Sequence, residues 1–413
     1  MPIRLTAAEK KVAAKLAAVQ KKSTSHSPSP AMLKSVGVEV KHDFCYLSNP
    51  HATELFLKYF RRDFSNVAKL RSVVEYYPSQ NRTLAEKVFL FLNTSQKSHP
   101  LSISPSSATG GSASGGKEGE RRINATNIFV GSGATEIIQA VLQNFTKRKI
   151  IVPVPTFSPY LEFAPEGVRI IQHQLKKEND FRLETRAFLA QVKKEKPDTV
   201  VIINPNNPEG GYHFANDLQS VLRKLKGVGT VIVDESFIHF AGKKIESVSR
   251  LVHTYQNLVV IKSLSKDFGV AGVRLGYAVM AQKRVRALLE RGYLWNVSGF
   301  GEYFLDLLNK DEFLKEYEVA RLKAIGERDD FFAQLQKVKG VKVYPSKANM
   351  FLIEILDGSK ASDLAVRLLV RHGIYVRTCY DKVGLNGEFI RIASRTAKEN
   401  LKLSGALKNI LPE

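Results

Sequence analysis

Between Asn127 and Met280, short β-branched and aliphatic runs alternate with amphipathic segments, a change of period from two to about 3.6 that separates strands from helices. Strands are predicted at Ile128–Val130, Ile150–Val154, Thr199–Ile203, Val231–Val233, Leu258–Ile261 and Gly276–Met280, with an amphipathic helix at Thr135–Phe145. Strands joined by helical crossovers pair in parallel, so the fold class is α/β with a mostly parallel central sheet in a large domain. Beyond Ala281 the pattern changes to long charged helices, Arg284–Arg291 and Lys310–Leu335, followed by short strands near Val341–Tyr344 and Met350–Ile355. A smaller α+β domain is therefore expected over 286–413, after a large domain over 76–285 and an amino-terminal segment, 42–75, packed on the small domain.

Two stretches carry neither period. Residues 1–41 hold eight basic side chains against Glu9 and Glu39, and 22–30 are rich in Ser and Pro, which predicts a flexible basic arm. Organellar transit peptides share this bias but favour Arg, whereas here Arg4 stands alone among lysines. Thr94–Lys117 has eight Ser and four Gly among its 24 residues, so a disordered insert over 94–118 is expected inside the large domain.

Composition narrows the class further. At 413 residues with 44% hydrophobic and 25% charged side chains, the chain has ordinary globular usage and no apolar run long enough for a membrane span. Cys45 and Cys379 match no metal spacing and no disulfide framework, so no metal site is expected and a reducing, cytoplasmic setting is the simpler reading. The formal charge of +22 suits anionic small substrates or nucleic acid, but no zinc-finger, RRM or single-strand recognition pattern accompanies it, and neither nucleic acid nor membrane is expected as a partner.

Chemistry enters where polar clusters follow the apolar runs: Gly131-Ser-Gly-Ala-Thr-Glu136 after Val130, Asn204 to Gly210 after Ile203, Asp234 after Val233, and Ser263-Leu-Ser-Lys266 after Ile261. Each alone has an ordinary explanation, as a helix start, a turn, a strand cap or a solvated lysine. In an open parallel sheet, however, ligands bind outside the carboxyl ends of the strands, so the four clusters converge on one crevice. A phosphate cradle, a carboxylate, an amide donor and a lysine are the groups that hold pyridoxal 5'-phosphate (PLP). The lysine forms a Schiff base with the aldehyde, and the carboxylate keeps the pyridine nitrogen protonated so that the ring acts as an electron sink.

Ser263-x-Ser-Lys266, with Arg274 eight residues on in Ala-Gly-Val-Arg-Leu-Gly-Tyr277, resembles the motif of fold-type I PLP enzymes. Within that aspartate aminotransferase class, the chain from Tyr46 onward is most similar to the histidinol-phosphate aminotransferase and threonine-phosphate decarboxylase branch. The resemblance implies Lys266 as the Schiff-base lysine and Asp234 as the pyridinium partner, the two catalytic residues. It implies Gly133, Ala134, Thr135, Ser263, Ser265 and Arg274 around the cofactor phosphate, Asn207 on the ring hydroxyl and Phe157 on the ring face. Tyr77 would reach the cofactor phosphate of a neighbouring subunit, which implies a homodimer with shared active sites. For a small anionic amino-acid-type substrate it implies Arg391 on the carboxylate, Arg377 and Arg395 as second anion ligands, and Asn49 and Asn296 in segments around the site.

Three positions depart from the aminotransferase pattern. Phe237 stands where aminotransferases of this class usually have a tyrosine bonding the ring oxygen, and the decarboxylase branch also has phenylalanine there; Glu209 replaces a small hydroxyl residue; Ser132 replaces the asparagine common in histidinol-phosphate enzymes. The expected activity is transamination of a small, possibly phosphorylated, amino acid or amine, with Lys266 moving the Cα proton. The alternative on the same scaffold is decarboxylation of a phosphorylated amino acid. Both use one cofactor set, and the choice depends on which bond to Cα stands perpendicular to the ring.

Overall fold

The computed structural model describes residues 2–22, 27–94 and 123–411. Nearly all of the insert expected at 94–118 therefore lies outside the described residues. The strands are β1 (His42–Asp43), β2 (Ile128–Gly131), β3 (Lys149–Val154), β4 (Arg169–Gln174), β5 (Thr199–Ile203), β6 (Thr230–Asp234), β7 (Leu258–Ser263) and β8 (Gly276–Met280). The carboxyl-terminal part adds β9 (Val341–Val343), β10 (Met350–Ile355), β11 (Ile374–Tyr375), β12 (Arg377–Thr378) and β13 (Phe389–Ala393).

Seven strands form the large sheet in the order β2-β8-β7-β6-β5-β3-β4, all parallel except β8, which runs against both neighbours. The central strands β5, β6 and β7 are buried at every position, the signature of a parallel sheet covered on both faces. β4 escapes the sequence pattern because it is an edge strand, rich in polar residues and partly exposed along its length. Since β2, β5, β6 and β7 share one direction, their four polar clusters emerge at the same edge. β8 returns antiparallel, with Gly276 opposite Ser263, so the turn carrying Arg274 begins at that edge too.

The small sheet is antiparallel, ordered β12-β13-β10-β9, and backs onto a core that includes Phe351, Ile353, Ile390 and Ile392. A 25-residue helix, Asp311–Leu335, joins the two parts: Phe313, Leu314 and Tyr317 pack in the larger core, Phe331 and Leu335 in the smaller. The helix Gly299–Leu308 also belongs to the larger core, so the seam falls within the long helix rather than at 285/286.

Two further expectations change. In the segment 42–75, Phe44 enters the smaller core, whereas Ala52, Leu55, Phe56 and Tyr59 of the helix Pro50–Asp63 enter the larger one; the segment straddles both. The arm over 1–41 contains a helix, Ala7–Lys22, which packs on the helix Ala361–His372, while Ile3 is buried in the smaller core. Its docking is electrostatic as well as apolar. Glu9 is buried between Arg367 (3.2 Å) and Arg371 (3.1 Å), and although burial would raise its carboxyl, these hydrogen bonds outweigh that and hold it at about 2. No helix among the described residues is long and apolar enough to cross a membrane.

Candidate active site

The crevice at the carboxyl edge of the large sheet is a cavity of about 400 Å3, closed on one side by β12 and β13 of the small sheet and on another by the segment Cys45–Leu47. It gathers twelve of the residues expected from the sequence: Ala134, Thr135, Phe157, Asn207, Asp234, Phe237, Ser263, Ser265, Lys266, Arg274, Arg377 and Arg391.

The phosphate side is built by close approach of backbone and guanidinium. Gly133 opens the helix Gly133–Phe145 at φ +82°, and a Cβ there would stand 2.5 Å from Arg274 Nη2. Arg274 itself sits in the left-handed region at φ +57°, uncommon for a residue with a side chain and found where surrounding structure imposes it. Ser265 Oγ is buried with no hydrogen-bond partner among the described residues, next to Ser263, whose Oγ accepts from the Ser265 N–H at 3.2 Å. An unpaired buried hydroxyl costs free energy, and a phosphate oxygen would satisfy it.

At the other end Asp234 is buried, accepting from Tyr160 Oη and from the Ser236 N–H, both at 2.8 Å. Burial pushes its carboxyl up, while Ser236, Tyr160 and the charge of Lys262 pull it back. A protonated ring nitrogen beside it would add the cation such a site lacks. Lys266, on the turn after β7, makes no hydrogen bond or ion pair through Nζ among the described residues; burial, then Arg391 and Arg274, lower its ammonium to about 8. A neutral amine is the nucleophilic form, the one able to attack an aldehyde. Beneath the turn Asp267 bonds His239 (2.5 Å) and Lys262 (2.9 Å); although burial would raise its carboxyl, the charge of Lys262 and these hydrogen bonds outweigh that and hold it at about 2, while burial keeps the His239 imidazole low, at about 4. The residues present therefore fit PLP: a cradle that only glycine allows, an unpaired hydroxyl, a deep carboxylate and an unpaired lysine.

Arg391 lies across the cavity, donating to Asn207 Oδ1 (3.0 Å) and the Cys45 carbonyl (2.9 Å), with Nε buried and unpartnered. Arg377 is its register partner on the adjacent strand and is ion-paired with Asp381 at 2.5 Å.

Other expected residues lie elsewhere. Arg395 does not reach the cavity: it pairs with Glu399 at 2.9 Å, at the capped start of the helix Ala397–Ile410. Asn296 bonds Glu136 at 2.7 Å and lines a separate groove beside Arg274, Trp295 and Phe300. Asn49 caps the helix Pro50–Asp63, and its N–H donates to the Lys266 carbonyl at 2.9 Å, so it supports the lysine turn rather than the cavity wall. Tyr77 is 88% exposed, in ring contact with Trp295.

Sequence reasoning missed Lys382, Ser158, Ser236, Tyr46 and Ser27 on the cavity wall. Ser158 is the chain neighbour of Phe157, but Lys382 follows no apolar run and only tertiary folding brings it in.

Comparison with known proteins gives these features a class. Residues 115–407 match the family model for aminotransferase class I and II, and the chain belongs to that family of PLP-dependent, fold-type I enzymes. It is 45% identical over 406 residues to an L-serine phosphate decarboxylase of Campylobacter jejuni, covering 97% of each chain. A solved structure of a decarboxylase from Sulfurospirillum multivorans superposes with a TM-score of 0.84 at 39% identity, covering 98% of this chain and 99% of that one. A histidinol-phosphate aminotransferase of Thermoanaerobacter pseudethanolicus is 31% identical over 69% of this chain and 78% of its own.

These findings correct the expected reaction. Transamination rested on the motif set and Arg391, whereas identities of 45% and 39% over nearly the whole chain are to decarboxylases. The departure that sequence analysis noted at Phe237 points the same way.

Proposed function

We propose that the protein is a PLP-dependent decarboxylase of a phosphorylated amino acid, with L-serine phosphate as substrate. The observation that carries this reading is the 45% identity to an L-serine phosphate decarboxylase across 97% of both chains. A cavity with Arg377, Lys382 and Arg391 on one wall supports it, since the substrate brings two anionic groups. The Cα–carboxylate bond breaks, carbon dioxide leaves without the bonding pair, and Cα gains a proton, giving ethanolamine phosphate.

PLP, when bound, supplies the conjugated sink for that electron pair. Ala134, Thr135, Ser263, Ser265 and Arg274 would hold its phosphate, Phe157 its ring face, Asn207 its ring oxygen and Asp234 its ring nitrogen. Lys266 would bind its aldehyde carbon, and its amine would hold the proton that Cα takes up. Phe237, buried against the cavity, offers no hydroxyl to the ring oxygen, so Asn207 bears that contact, steadied by Arg391.

Shared active sites in a homodimer are part of the proposal. Trp295, more than half exposed, lines the groove beside Arg274 and is in ring contact with the exposed Tyr77, an apolar surface suited to a second copy. Two buried free cysteines, Cys45 and Cys379, support a reducing compartment such as the cytoplasm.

The reading is tested by incubating PLP-loaded enzyme with L-serine phosphate and no oxo acid. Stoichiometric carbon dioxide and ethanolamine phosphate are expected; amino-group transfer that requires 2-oxoglutarate, without carbon dioxide, would return the protein to the aminotransferases.

A further inference from the structure

Lys382 stands on the loop after β12, in a turn closed by its N–H to the Cys379 carbonyl at 3.0 Å. Its side chain crosses from the small domain to the loop after β3, where Nζ donates to Ser158 Oγ (2.7 Å) and the Thr156 carbonyl (3.3 Å). Only 8% exposed, it has no carboxylate within ion-pair distance among the described residues. An ammonium has three donors, and two are used here by neutral acceptors.

Its surroundings make that arrangement costly. Arg377 and Arg391 face each other across β12 and β13, and like charges directly opposite on a sheet repel. Among the described residues Asp381, ion-paired with Arg377, is the carboxylate that also acts on Lys382 and Arg391. Burial, then Arg391 and Arg377, depress the Lys382 ammonium to about 8. Lys382 itself is satisfied by neutral oxygens alone, so an anion entering the cavity beside it would supply a charge that its buried ammonium lacks among the described residues. Arg391 leans toward the reacting centre, through Asn207 and its effect on Lys266, whereas Lys382 lies on the far side, toward the loop after β3.

We propose that Lys382, beside Arg377, seats the phosphate of the substrate and so sets the preference for an O-phosphorylated amino acid over its unphosphorylated counterpart. The assignment rests on the decarboxylase reading for the identity of the phosphate carrier, and on the cation cluster for its location. A lysine suits the task as a compact charge that meets a phosphate oxygen from one side while Ser158 and Thr156 fix its direction. With the carboxylate directed to Arg391 and the phosphate to Lys382, the two ends of the substrate are held apart and its rotation about Cα is restricted.

The test uses the PLP-loaded protein with ethanolamine phosphate and inorganic phosphate as probes, followed by calorimetric titration. Lys382→Met is expected to weaken both at least tenfold, to raise the KM for L-serine phosphate by a similar factor, and to leave the cofactor absorption unchanged; Lys382→Arg should restore much of the affinity. Binding by Lys382→Met within twofold of wild type would overturn the assignment. A measurement without any variant guards against misfolding: inorganic phosphate should protect Lys382 of the wild-type enzyme from acetylation, mapped by peptide mass, and equal labelling with and without phosphate would also overturn it. The two readings fail separately. Phosphate binding that depends on Lys382, in an enzyme releasing no carbon dioxide from L-serine phosphate, removes the decarboxylase and keeps the subsite; carbon dioxide release unaffected by Lys382→Met does the reverse.

Discussion

Lys266 and Asp234 show how burial tunes single groups at this site. Because the Lys266 ammonium is lowered to about 8, the neutral fraction of the amine rises as pH increases through that value. The rate at which apoenzyme captures PLP should therefore climb between pH 7 and 9 and then level off, followed by the absorption of the bound cofactor. A flat profile would mean that the amine is not the titrating nucleophile. Borohydride reduction of the loaded enzyme should fix the pyridoxyl group on Lys266, and Lys266→Ala should leave it unattached. Asp234→Ala removes the carboxylate that Tyr160 and Ser236 orient. It should still bind cofactor while losing roughly a hundredfold or more in turnover, the scale on which groups that stabilise developing charge act. Near wild-type turnover would show that another group serves the ring nitrogen.

Among the elements, the amino-terminal helix departs furthest from expectation, because one acid decides its fate. Glu9 lies in an Ala/Lys-rich segment that reads as a mobile arm, yet Arg367 and Arg371 on the helix Ala361–His372 meet it in a buried pocket. Its folded value of about 2 lies below the ordinary 4.5, so this contribution is fully present above about pH 4.5 and is lost as pH falls toward 2. Glu9→Gln should destabilise the docking by roughly 1–3 kcal/mol, the cost of charged hydrogen bonds left with a neutral partner. Hydrogen exchange over residues 7–22 should quicken in that variant, and unchanged protection would show that apolar contacts alone dock the helix. The consequence reaches the site, since the same amino-terminal region places Ser27 and Tyr46 on the cavity wall, with Tyr46 Oη donating to the Ser27 carbonyl at 3.1 Å.

For the whole molecule, the proposed dimer and the surplus of positive charge are the open quantities. If Tyr77 reaches a partner's cofactor, Tyr77→Ala should raise the PLP concentration for half-saturation several-fold, although Tyr77 is absent from the wall of its own cavity. Mixing Tyr77→Ala and Lys266→Ala subunits should then rebuild one intact site in each mixed dimer, roughly a quarter of all sites at random assortment. No recovery at limiting PLP would show that the sites are not shared. Of the 62 Lys and Arg side chains behind the charge of +22, Arg377, Lys382 and Arg391 meet at the cavity, and most of the others lie outside it.

Sequence alone determined the scaffold and the cofactor. Strands β5, β6 and β7 are legible because burial on both faces demands unbroken apolar runs, and the polar groups that follow them must then share one edge. Asp234, Lys266, Ser263 and Arg274 could be found this way, since each sits a fixed distance from a strand end. Edge strand β4, Lys382 and the docked Glu9 could not, because their partners lie far away in the chain and no local period marks them. Arg395 shows the converse: it stands four residues after Arg391 in the chain, but Glu399 one helical turn on captures it. Which arginines face the cavity, and which lysine completes them, was decided only when the small antiparallel sheet closed over the large one, because register and domain packing, rather than spacing, bring those charges together.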